Sequence, residues 1–131
     1  RGFARVLEVV KLLHDEGVRL LPGTDDGTGF TLHREVELYV KAGIPAAEAL
    51  RLATLGAADY LGLARDTGSI ERGKYADFFL VAGDPLADIR AIKRARLVMK
   101  GGTLYYPAEI YDALSIRPFA PAPPVQEPRQ P

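Results

Sequence analysis

Residues 1–29 pass from an amphipathic helix, through a glycine, into a short apolar run and then a polar, glycine-rich loop. That order is the α-to-β half of a repeating β/α unit, so the chain reads as α/β. The helix is marked by Phe3, Val6, Leu7, Val10 and Leu13, which form one apolar stripe at helical spacing. Gly17 suits its C-terminal stop. Residues 18–22 are a short β-type run. The loop that follows, Gly23-Thr24-Asp25-Asp26-Gly27, lies where β/α folds collect their chemistry, beyond the C-terminal end of a strand.

A carboxylate on such a turn faces a pocket rather than a core. It can ligate a hard or borderline cation, or act as a general base toward a metal-bound water. Asp25 or Asp26 can equally cap the loop or the next helix, because Thr-Asp and Asp-Gly are common turn chemistry. The two neighbours cannot both face one site on a regular strand, so one of them is expected to be structural. His33, a few residues on, can reach a ligand held near Asp25 or can simply line a helix start. His14, late in the first helix, reads as structural, favoured by the helix dipole. Gly27-Thr28-Gly29 has the loose look of an anion-binding turn but lacks the lysine and spacing of a phosphate loop.

Further along, residues 32–42 and 46–61 read as two helices ended by Gly43 and Gly62. The second would bury Leu50, Ala53, Thr54, Ala57 and Leu61. From residue 63 the pattern changes to short strands at 76–81, 92–100 and 103–106, the last two joined by a Gly101-Gly102 hairpin turn. Residues 109–114 form a helical turn or an extended segment. Lys93-Arg94-Ala95-Arg96 reads as a solvated strand edge. More than half of the ten prolines fall in residues 118–131, which are expected to form a disordered or extended tail. The division is therefore 1–62, 63–115 and 116–131.

Composition narrows the function. Basic and acidic residues number 17 each, so no net charge argues for nucleic acid or an anionic membrane. No apolar run reaches the ~18–20 residues of a membrane helix. Cysteine is absent, which removes disulfides, thiolate metal sites and cysteine nucleophiles, and leans the expectation toward the cytoplasm. With only two histidines, any histidine-rich metal site must borrow from elsewhere. The first residue, Arg1, reads as the middle of a helix, so the chain is expected to be a C-terminal piece of something longer.

The ordered motifs from Gly17 to Tyr106 resemble the C-terminal end of the amidohydrolase superfamily. They include Pro22-Gly23-Thr24-Asp25-Asp26-Gly27, Gly68-Ser69-Ile70-Glu71-Arg72-Gly73-Lys74-Tyr75-Ala76-Asp77 and Met99-Lys100-Gly101-Gly102. The likeness is greatest to its imidazolonepropionase-like and prolidase-like metal-dependent members. It implies a C-terminal fragment of a (β/α)₈ TIM barrel, with residues 18–22 as the eighth strand and 32–61 as the closing helices. Residues 68–106 would then be part of a small composite β-sandwich. It implies one or two divalent metals, zinc first, with Asp25 as metal ligand and proton acceptor, His33 near a small-molecule substrate, and Asp77 structural. The reaction implied is hydrolysis of a C–N bond in a cyclic amide, amidine or dipeptide-like compound.

The family's His-x-His pair, bridging ligand and later histidines are missing here. The chain alone is thus expected to be inactive and to need the N-terminal barrel portion as partner; a homo-oligomer is possible. The competing expectation is a non-catalytic remnant that serves in assembly or binding.

Overall fold

The computed structural model describes residues 2–27, 29 and 31–124. Its elements are α1 (Gly2–Asp15), α2 (Leu32–Lys41), α3 (Ala46–Arg51), a π-helical stretch (Leu52–Gly56) and α4 (Ala57–Tyr60). They continue as β1 (Phe78–Val81), a 3-10 turn (Ile89–Lys93), β2 (Ala95–Lys100), β3 (Thr103–Tyr105) and α5 (Pro107–Ala113).

The helical part holds the core. Ile44, at 1% exposure, packs with Val36, Tyr39, Ala49 and Leu52, with Val10, Leu20 and Val40 around them. Ile89 and Ile92 from the 3-10 turn complete this cluster. Each such buried aliphatic side chain is worth ~1.5–3 kcal/mol of transfer free energy.

The expected helix over 46–61 is present but not regular. Its middle turns widen into the π stretch, which shifts the phase of every side chain beyond it. The fully buried positions are Ala49 and Leu52, ahead of and at the start of that stretch, and Ala58 beyond it, whereas Leu61 and Thr54, expected inside, are exposed. Thr54 Oγ1 donates to the carbonyl of Leu50 at 2.7 Å, back across the same turn.

The sheet is antiparallel with order β1-β2-β3. Its register pairs Phe78 with Met99 and Met99 with Leu104, and Phe79 with Val98 and Val98 with Tyr105. Alternation then puts Phe78, Met99 and Leu104 on one face, and Phe79, Val98 and Tyr105 on the other. A bulge at Leu80/Val81 leaves Arg96 as the extra residue on β2. Gly101 and Gly102 have φ of 57° and 78°, the pair of left-handed residues that a tight hairpin turn requires. Asp77 accepts the Gly101 N–H at 2.9 Å and pairs with Lys100, so its carboxylate serves the hairpin.

Residues 18–22, expected as a strand, have no ladder partner among the described residues and are irregular. A strand is defined by its neighbours, and none runs beside this segment. For a similar reason the α1 stripe is largely uncovered: Phe3, Val6 and Leu13 are exposed, and no residue of this helix is fully buried. Within the proline-rich segment, Phe119 meets Tyr111 edge-on at 5.8 Å and Ala120 is buried; residues 125–131 lie outside the described residues.

Besides Ile89 and Ile92, two further contacts tie the helical part to the segments around the sheet. The first is Gly68, whose φ is +92°. An added Cβ would lie 2.6 Å from the Ala58 Cβ and 3.0 Å from the Leu55 Cα, so the turn lies directly on the π/α4 segment. The second is Glu37, which is buried at 8% exposure. Arg34 donates to its Oε2 at 2.9 Å, and Lys93 Nζ lies 2.6 Å from its Oε1. Burial pushes this carboxyl up, but the close Lys93 ammonium and the Arg34 hydrogen bond outweigh it and hold it below its ordinary value of 4.5.

Two outcomes are expected. Gly68→Ala should lower unfolding stability by ~2–4 kcal/mol, through both the clash and the backbone conformation, in urea titration. A change under ~0.5 kcal/mol would contradict the contact as described. For Glu37, a lowered folded pKa means the stabilisation is complete above the unfolded value and is lost as pH falls through the folded one. Glu37→Gln should therefore cost ~1–3 kcal/mol at neutral pH, with the difference from wild type shrinking as pH falls below the ordinary carboxylate range. A pH-independent difference would refute this.

Candidate functional site

Asp25 lies in the irregular segment before α2, where its side chain is exposed and its φ is +44°. That left-handed conformation costs most L-residues ~1–2 kcal/mol, although aspartate tolerates it better than most. Asp26 is half-buried. Its N–H lies 3.4 Å from Thr24 Oγ1, and the same hydroxyl lies 3.5 Å from its carbonyl, a long Thr turn that spans Asp25. The local chemistry thus separates the neighbours: Asp26 is drawn into the turn and Asp25 points outward at its apex.

His33 is half-buried in the first turn of α2, after the Thr31 N-cap. Thr28 and Phe30, which join the two regions, lie outside the described residues, and with them the middle of the Gly27-Thr28-Gly29 turn. His14 is late in α1, and its Nδ1 is 3.2 Å from an Asp15 carboxylate oxygen. That places it in a surface pair with Asp15, which Lys11 also holds, lowering the Asp15 carboxyl.

Among the described residues, no three His, Asp or Glu side chains converge as a metal-holding group. A single exposed carboxylate does not fit a zinc or similar centre, which needs three or four protein donors. The residues here do not fit a resident metal by themselves.

A groove lies elsewhere. It has a volume of about 590 Å³ and runs between the π/α4 segment and the sheet, lined by Ala58, Leu61, Leu63, Phe78 and Met99. Neither Asp25 nor His33 lines it. Its walls are apolar, with the Asp77–Lys100 pair at one edge. Nothing in it resembles a set of reacting groups.

The residues that the sequence reading missed are Glu37 and Lys93. Glu37 falls among the apolar positions of α2 with no pattern to mark it as buried. Lys93 was read as part of a solvated strand edge, but it ends the 3-10 turn and reaches a buried carboxylate. Among the described residues, no helix is long and apolar enough to cross a membrane.

The Amidohydrolase family pattern matches residues 5–104. The chain is 32% identical over 103 residues to an adenine deaminase of Rubrobacter xylanophilus, covering 72% of this chain and 17% of that protein. It is 32% identical over 96 residues to adenine deaminase 3 of Rhizobium meliloti, covering 68% and 16%. Among solved structures, a Xaa-Pro dipeptidase with methionine bound in its active site superposes with a TM-score of 0.73 at 34% identity, covering 77% of this chain and 25% of that one. The chain thus spans about a sixth of the length of these curated relatives. By the extent of the match, this chain belongs to the amidohydrolase family.

Proposed function

We propose that the chain is the C-terminal part of a metal-dependent amidohydrolase that breaks C–N bonds with water. The observation that carries this reading is the family match over residues 5–104, set against relatives of which the matched part is only about a sixth. Deaminases and dipeptidases both add water at a carbon and expel a nitrogen leaving group, which supports that reaction class. The substrate would be a small cyclic amide, amidine or dipeptide-like molecule. In this reading residues 18–22 are a barrel strand awaiting its neighbours, and the sheet is one share of a composite β-sandwich. The exposed α1 stripe and the unpaired segment at 18–22 are what such an arrangement requires.

Asp25 is the residue this chain contributes to the reaction, as a ligand and as the acceptor of the water's proton. Its outward position at the apex of the turn supports the role. His33 would lie near the substrate. The remaining donors would come from a portion of the protein beyond this chain, and on this reading the 131-residue chain is inactive by itself.

Two measurements test this. Metal analysis of the chain after dialysis against zinc should find well under one equivalent, and tight stoichiometric zinc would refute the reading. In a complete protein that contains this segment, Asp25→Asn should reduce turnover by ~100-fold or more with the fold retained. Activity within ~10-fold of wild type would remove Asp25 from its assigned role.

A further inference from the structure

The seam between helices and sheet is built from two unlike interactions. Ile89 and Ile92 enter the core beside Val36, Tyr39 and Leu52, a contact that is strong but has no preferred direction. Glu37 crosses the same seam with a charge. Its Oε2 accepts from Arg34, one turn earlier on the same helix; its Oε1 lies 2.6 Å from the ammonium of Lys93, the last residue of the 3-10 turn, an ion pair without hydrogen-bond alignment at that oxygen. A carboxylate so buried must be desolvated, and that cost offsets much of the attraction. An apolar side chain of similar size would seat the turn about as firmly, so bulk stability does not account for a carboxylate here.

What the ion pair adds is a fixed place for one charge: the Lys93 ammonium cannot leave without stranding a buried carboxylate oxygen. Lys93 is two residues from the start of β2, and the intervening Arg94 carbonyl accepts the Ala82 N–H at 2.9 Å, just beyond β1. Fixing the Lys93 ammonium therefore fixes where both β1 and β2 leave the helical part. Both sheet faces carry large apolar side chains, and the groove separates the sheet from the π/α4 segment. A greasy sheet over an open groove has several ways to lie down.

We propose that Glu37 is an orientation pin: its pairing with Lys93 selects one seat of the sheet on α2 from several that the apolar seam would accept. The inference uses only contacts within this chain and does not depend on the proposed reaction.

The test is the amide ¹H–¹⁵N spectrum of the whole 131-residue chain. Wild type should give one set of signals for residues 89–105. Glu37→Met should keep the signals of residues 32–60 but split or broaden those of 89–105. Lys93→Met, which leaves Glu37 its Arg34 hydrogen bond, should do the same. A single sharp set in either variant would overturn the proposal, because the seat would then need no charge. Loss of helix and sheet signals together in both variants would also overturn it, because Glu37 would then act on overall stability. So would multiple 89–105 signals in wild type.

Discussion

The structure depends on the insertion of Ile89 and Ile92 into the cluster formed by Val36, Tyr39, Ile44 and Leu52. Without those two side chains the helices would lose part of their core, and the sheet would have no support on α2. Everything beyond residue 78 is placed by this one seam together with the Gly68 turn that rests on Ala58. The buried Glu37 lies at the edge of the seam and turns a non-directional contact into an oriented one. Hydrophobic burial supplies the energy and a charged group supplies the geometry, in keeping with what each interaction does well.

The rest of the molecule shows how much a β/α unit relies on its neighbours. α1 carries a clear apolar stripe but buries no residue fully. Residues 18–22 are irregular and have no ladder partner among the described residues, and Arg19 within them pairs with Asp59. Asp25 is exposed at the apex of a turn, with its half-buried neighbour Asp26 drawn inward. Each of these is a half-interaction. Family membership bears on them, since the matched part is only about a sixth of each curated relative.

Much of this was legible in the sequence, and the failures have identifiable causes. The hairpin was readable because Gly101-Gly102 between alternating apolar residues has few other uses, and the register Met99–Leu104 follows from it. The helices of residues 32–60 were readable from apolar spacing, and so was the buried face of α2 at Val36 and Tyr39; the later turns of the second helix were not. Periodicity arguments assume 3.6 residues per turn, and five residues of π-helix put Leu61 on the outside. Glu37 was illegible because a charged residue on a helix is almost always solvated, and its partner Lys93 lies 56 positions away. The loop at Asp25 was legible as chemistry only through resemblance. Its residues alone describe a turn, and a turn is what the structure contains.

The central claim is that this chain is one share of a larger hydrolase. The most direct measurement is the coding sequence upstream of Arg1. The account predicts an open frame of roughly 250–300 codons carrying a His-x-His motif, enough for the remainder of a barrel and its metal ligands. A start codon immediately before Arg1 would contradict it, leaving a family member without the residues its reaction needs.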